Sequence, residues 1–129
     1  MYYVGKISYD IYKPLTPNMT NNEVVISDTQ INHVMKRHPA DYEAYLEYMA
    51  ECVSDPDYVI ASNKPNTAIV LKELEVEGKR VKVILRLQTT SDPVGYKNSI
   101  ITFQHIEKKR YSRYVRNGKI IYQKYNNVI

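Results

Sequence analysis

The pattern of apolar and polar positions changes period near residue 54. Ile31, Val34 and Met35 form one apolar face of a stretch that opens with Ser27-Asp28-Thr29-Gln30. That opening is a capping box: the Ser27 hydroxyl can accept from the backbone three residues on, and Gln30 can reach back. The pattern predicts a helix from Ser27 to about Arg37. His38-Pro39 ends it, because the residue before a proline disfavours helical backbone. Tyr42, Tyr45, Leu46, Met49 and Val53 then recur at three and four residues, while Asp41, Glu43, Glu47 and Glu51 point away. This spacing predicts a second helix over 40–53, closed by Ser54-Asp55-Pro56.

Elsewhere the period is closer to two. Residues 2–12 alternate loosely and read as an N-terminal strand, followed by a loop rich in Pro and Asn over 13–22. Strands are predicted over 57–61, 67–76 and 80–87, the last two joined by the tight turn Glu77-Gly78-Lys79 as an antiparallel hairpin. A polar loop over 89–98 leads to a strand over 99–105. Residues 107–116 fit a basic helix better than a hairpin arm, with Gly118 past its end. The last strand runs over 119–125. Helices followed by a meander of strands are the signature of an α+β fold. The expected architecture is N-terminal helices packed on one face of a four- to five-stranded antiparallel sheet. It forms a single domain over 1–129, with an N-terminal strand and loop over 1–26 and a core over 27–125.

That architecture leaves one sheet face uncovered. Val81, Val83, Leu85 and Leu87 oppose Lys82, Ile84 and Arg86, and Ile101 and Phe103 oppose Ile100, Thr102 and Gln104. With the apolar faces against the helices, Lys82, Arg86, Thr102 and Gln104 share the open side. Cations and hydrogen-bond donors with few carboxylates suit a phosphate better than a metal ion or a carbohydrate. A solvated outer face is the plainer alternative. Among the histidines, His33 and Arg37 are four apart and share the polar side of the first helix. His38 lies on its apolar side at the end, where a proton carrier and a support for the helix end are both open. His105 ends a strand and reads as a surface residue. His33 and His38 are five apart, misaligned on a helix and without a third ligand, so no metal site is expected. There is no P-loop, dinucleotide fingerprint or serine-hydrolase elbow, and no cofactor is expected.

Charge sharpens this picture. Residues 1–64 carry 5 Lys/Arg against 9 Asp/Glu, and residues 65–129 carry 13 against 5, so the halves stand at −4 and +8. No acidic side chain follows Glu107, whereas Lys108, Lys109, Arg110, Arg113, Arg116 and Lys119 do. A basic surface on one side attracts polyanions, nucleic acid first among them. Thirteen tyrosines against no tryptophan give rings that can stack on unpaired bases, although most belong to core and rim. The lone Cys52 falls on the apolar side of the second helix and is expected to be buried. No run is long enough to span a bilayer and the N-terminus has no signal-peptide pattern, so no membrane association and a cytoplasmic location are expected.

Taken in order, Ile31-Asn32-His33-Val34-Met35-Lys36-Arg37-His38-Pro39, Pro56-Asp57-Tyr58-Val59-Ile60, Ser99-Ile100-Ile101-Thr102 and Lys119-Ile120-Ile121-Tyr122 resemble the phage-type barnase–EndoU–colicin–RelE-like nuclease domains. The resemblance spans about residues 27 to 125. It implies helices packed on a four-stranded antiparallel sheet and RNA cleavage without metal. His33, Arg37 and His38 match the family's helix motif, Thr102 the polar residue of its late strand, and Tyr122 its final strand. The chemistry implied is transesterification. A base takes the 2′-hydroxyl proton, the oxygen attacks phosphorus in line, and an acid protonates the leaving 5′-oxygen. Histidine suits both proton steps because its ordinary pKa is about 6.5, and cations must meet the developing charge. The expected assignment gives His33 a proton-transfer role, His38 either the second proton-transfer role or the support of the helix end, Arg37 and Arg86 the part of phosphate clamps, Thr102 that of a donor and Tyr122 that of a further contributor. Lys82, Lys108, Lys109, Arg110, Arg113, Arg116 and Lys119 would hold RNA. An immunity or antitoxin protein is a further expected partner. The rival readings are a non-catalytic nucleic-acid-binding module and an inactive nuclease-like domain that binds protein.

Overall fold

Alternation is strictest along β5 (Arg80–Arg86), and there the chain obeys it: Val81, Val83 and Leu85 are fully buried on one face. The computed structural model describes residues 1–125; the last four positions of the domain expected over 1–129 lie outside the described residues. Around β5 stand β1 (Tyr2–Lys6), α1 (Tyr9–Tyr12), β2 (Glu23–Ile26), α2 (Asp28–Arg37), α3 (Pro39–Tyr45), α4 (Met49–Ser54), β3 (Tyr58–Ala61), β4 (Thr67–Glu73), β6 (Asn98–His105), α5 (Lys108–Asn117) and β7 (Lys119–Gln123). The strands form one seven-stranded sheet in the order β1-β2-β6-β5-β4-β3-β7. Every neighbouring pair is antiparallel except β2 and β6, which are parallel.

The α+β class stands, but three expectations are corrected. The sheet has seven strands instead of four or five, because β2 and a separate β1 extend it beyond β6. It is mixed, because β2 enters alongside β6 and leads straight into α2. The helices are not all N-terminal, nor all on one face. Val34, Tyr45, Met49, Cys52 and Val53 from α2–α4, with Tyr12 from α1, meet Val24, Ile26, Val70, Val83, Ile100 and Phe103 on one side. On the other side α5 lays Tyr111, Tyr114 and Val115 against Ile60, Ile69, Leu71 and Ile106. Each fully buried aliphatic side chain of this size stabilises by roughly 1.5–3 kcal/mol. Two such clusters are enough to fix which strand residues face which way.

Local chemistry explains the element ends. The Ser27 side chain accepts from the Gln30 backbone N–H at 3.2 Å and caps α2. His38 takes a non-helical backbone (φ −138°, ψ 60°), ends α2 and precedes Pro39, which starts α3 where its missing N–H costs nothing. The single helix predicted over 40–53 is α3 and α4 joined by a 3₁₀ turn at Leu46–Tyr48. The strand predicted to Val76 stops at Glu73, because Glu77 (φ 54°) and Gly78 (φ 59°) take left-handed backbone in the turn. The strand predicted over 2–12 breaks after Lys6, and Tyr9–Tyr12 turns into α1 so that Tyr12 can bury its ring and donate to the Val53 carbonyl at 2.6 Å. A bulge pairs Ile84 with Thr102 but Leu85 with Ile100, which leaves Ile101 as the extra residue. Ile100 and Phe103 therefore share the core face, correcting the parity expected from simple alternation. At the sheet's far end the buried Asn98 side chain donates to the carbonyls of Asn21 (3.0 Å) and Glu23 (2.9 Å) and accepts from Gln88 N–H (2.8 Å). That network ties the parallel pair to β5.

Candidate active site

The second face of the sheet is where polar side chains converge. Lys82 on β5 lies directly opposite Gln104 on β6, both on the side that α5 partly covers. The reason is the period of two: with Val81 and Val83 in the helical core, Lys82 must point the other way. Burial leaves its side chain only 8% exposed, so its ammonium needs partners. With its amide turned so that oxygen and nitrogen both find partners, Gln104 accepts from Lys82 Nζ and from Arg110 Nη1, each at 3.2 Å. The amide nitrogen donates to His38 Nε2, also at 3.2 Å. A neutral amide thus joins the imidazole at the end of α2 to two cations from a strand and a late helix. An imidazole accepting at Nε2 carries its proton on Nδ1.

Tyr114 completes the group. Its hydroxyl stands 3.4 Å from Lys82 Nζ and 3.3 Å from Arg110 Nη2, each of which donates to it. Both cations also sit over its ring, at 5.6 and 5.7 Å from the centroid. Partial burial works to raise the phenol's pKa. The hydrogen bond from Arg110 and the charge and hydrogen bond of Lys82 outweigh it and hold Tyr114 below the ordinary tyrosine range. Arg110 and Tyr114 sit four apart on α5, so one helical face delivers both. The cluster combines an imidazole nitrogen, a phenol held below its ordinary range and two cations, with no carboxylate among them.

Beside it lies a cleft of about 480 Å³ between α5 and the β3–β4 turn. Arg110 and Tyr114 line both the cleft and the cluster, and Ile60 and Ile69 form apolar walls. Gly118 closes α5 with an extended backbone (φ −77°), so it is not needed for a left-handed turn. It is needed for space: a Cβ there would stand 2.5 Å from the Tyr114 carbonyl oxygen and 2.7 Å from Ile60 Cγ2.

The residues expected from the sequence fare unevenly. His38 and Lys82 meet in the cluster, and Arg110, expected only to hold RNA, is at its centre. Thr102 shares the face, opposite Ile84 and one pleat from Gln104. His33 and Arg37 remain exposed on α2, and among the described residues neither forms a hydrogen bond or ion pair with the cluster. Arg86 is on the same face but roughly 13 Å along β5 from Lys82. There it pairs with Asp92 at 2.9 Å. The Asp92 carboxyl is held low mainly by the Thr89 N–H, with help from Arg86. Tyr122 lies against the helical core, on the opposite face of the sheet. Lys108, Lys109, Arg113, Arg116 and Lys119 are exposed along and just beyond α5. Gln104 and Tyr114 were not singled out as reacting groups. Gln104 was visible as a polar residue on the open face, but Tyr114 looked like one tyrosine among thirteen.

No group of three or more His, Cys, Asp or Glu side chains placed to hold a metal ion occurs among the described residues. Among them, no helix is long and apolar enough to cross a membrane. A family model described as phage-Barnase-EndoU-ColicinE5/D-RelE like nuclease2 matches residues 5–123. No curated protein matches the chain, and no solved structure does.

Proposed function

We infer the chemistry from one premise: this chain belongs to the phage-Barnase-EndoU-ColicinE5/D-RelE like nuclease2 family. A nuclease fold needs a place for a phosphodiester, and the His38–Gln104–Lys82–Arg110–Tyr114 cluster supplies one. We propose that the protein cleaves RNA by attack of the 2′-hydroxyl on the adjacent phosphorus, without a metal ion. His38 Nε2 gives up its hydrogen bond from Gln104 and takes the 2′-hydroxyl proton. The 2′-oxygen forms a bond to phosphorus while the bond to the 5′-oxygen breaks. Tyr114 donates its proton to that leaving oxygen. Lys82 and Arg110 meet the charge that gathers on the phosphoryl oxygens, the type of stabilisation that is usually the largest single contribution. Thr102, on the same face, would donate to the same group. The products are a 2′,3′-cyclic phosphate and a 5′-hydroxyl. The exposed cations of α5, Lys108, Lys109, Arg113 and Arg116, together with Lys119, hold the flanking backbone.

The observation that carries this reading is convergence: the Gln104 amide lies 3.2 Å from His38 Nε2, Lys82 Nζ and Arg110 Nη1, and pairs with all three once its oxygen is assigned to the cations. Its test is cleavage of a defined single-stranded RNA in excess EDTA, with product ends identified by mass. We expect cyclic phosphate ends from the wild type. We expect losses of about 10²–10⁴ in rate for His38→Ala and for Tyr114→Phe, the usual worth of a positioned acid or base. Undiminished cleavage by His38→Ala, or products with a plain 3′-hydroxyl, would overturn the assignment.

A further inference from the structure

We infer that the cleft between α5 and the β3–β4 turn is a nucleobase site, so that the protein selects one of the four bases next to the bond it cuts. The inference rests on the ribonuclease reading above and deepens it. Three observations carry it. The cleft's volume of about 480 Å³ falls within the ~300–1,000 Å³ range of small-ligand sites. Its walls have two characters: half-buried Ile69 and Tyr114 offer apolar contact for a planar ring, while Asn63 and Asn117 bring amide edges that both donate and accept. Finally, Arg110 and Tyr114 belong to the cleft and to the phosphate cluster at once, so a nucleotide whose base enters the cleft carries its phosphate toward Lys82 and Gln104.

The alternative use of such a cleft is to hold the sugar–phosphate backbone without regard to base. The composition argues against it. Among the lining residues the cations, Arg110 and Arg113, both stand on α5, and Ser62 and Asn63 across from them are neutral, with Lys64 and Lys119 adjacent but outside the lining. A backbone channel tracks phosphates with positive charge along its length, whereas sequence is read by hydrogen bonds to the edges of splayed-out bases. Asn63 and Asn117 are both exposed at the rim, so their amides are free to turn toward a base edge.

The test uses binding instead of cleavage. The four nucleoside 3′-monophosphates and ribose 5-phosphate are titrated against the whole protein, followed by NMR shifts of backbone amides. We expect one nucleotide to bind at least tenfold more tightly than the other three and than the sugar phosphate. An amide paired doubly to a base edge supports roughly 5- to 150-fold discrimination. The Asn63→Ala, Asn117→Ala double variant should keep its melting temperature and reduce that preference to about twofold. Equal or undetectable binding of all five ligands overturns the inference. So does a preference that survives the double variant. Failure of catalysis looks different: intact RNA together with selective nucleotide binding would remove the reaction and leave the base site standing.

Discussion

Replacing Gln104 by glutamate changes one NH₂ into O⁻ with almost no change in shape, and it discriminates a phosphate site from a structural polar network. In the native protein the amide oxygen accepts from Lys82 and Arg110 at 3.2 Å each. A carboxylate in its place meets two cations at that distance, so the fold should be as stable as before or more so. The site, however, has lost a full unit of positive charge. A phosphate about 5 Å from the new carboxylate is repelled by about 3 kcal/mol at an effective dielectric of 20, roughly a hundredfold in rate. The carboxylate also has no N–H to donate to His38 Nε2, so the contact that orients the imidazole is lost. The assay compares kcat/KM on a fluorogenic oligoribonucleotide with thermal unfolding of the same samples. A melting temperature equal to or above the wild type, with kcat/KM down about 100-fold or more, is expected. The defect should shrink in high salt less than that of Lys109→Ala, whose charge is exposed and screened. Full activity in a folded Gln104→Glu protein would refute the idea that these cations await a phosphate.

Lys82→Met should lower the cleavage plateau and move its alkaline limb to higher pH. Lys82 is one of the groups holding the Tyr114 phenol down, and a phenol acting as acid loses its proton as pH rises through its pKa; a limb that stays in place in a full pH–rate profile would exclude Tyr114 as the acid. Gly118→Ala should destabilise by about 1–3 kcal/mol, the usual cost of overpacking, because its Cβ would meet the Tyr114 carbonyl and Ile60; urea unfolding with an unchanged midpoint would refute this close approach. Asp55 has its carboxyl held low, first by the hydrogen bond from Lys124 and, against some burial, by Lys72. Its contribution to stability is therefore fully present above the unfolded carboxylate value of about 3.9 and is lost as pH falls through the lower folded value. Unfolding measured between pH 5 and 2 should show a shallower acid limb in Lys124→Ala than in wild type. Cys52, fully buried, has its thiol pushed up to about 12 by desolvation, with Glu51 adding to it; Ellman's reagent should label it at the rate of unfolding, and immediate labelling of the native protein would contradict its burial.

Why the fold was more legible than the site follows from how each is encoded. The periods of α2 and β5, the Ser27 cap, the break at His38-Pro39 and the basic helix before Gly118 are local signals, and each reappears in the structure. The fully buried Asn98 and the four-residue β2 are not local: Asn98 finds its partners some 77 residues away at Asn21, and Glu23–Ile26 is too short to carry a period. The proposed active-site cluster draws on four separate elements, namely the end of α2, β5, β6 and α5. Strand parity alone put Lys82 and Gln104 on one face, because both flank core residues at the period of two. Nothing local placed α5 against that face, since its basic composition read as an RNA-holding surface. Yet Tyr111, Tyr114 and Val115 recur at three and four residues, and with Lys109, Arg113 and Arg116 on the other side α5 is an amphipathic helix. A helix with an apolar stripe must cover something, and the helical side of the sheet was already filled by α2–α4. The open face was therefore the available surface. Docking there brings Arg110, four residues before Tyr114, to Gln104 and turns a solvated strand face into the walled surface proposed for a phosphate.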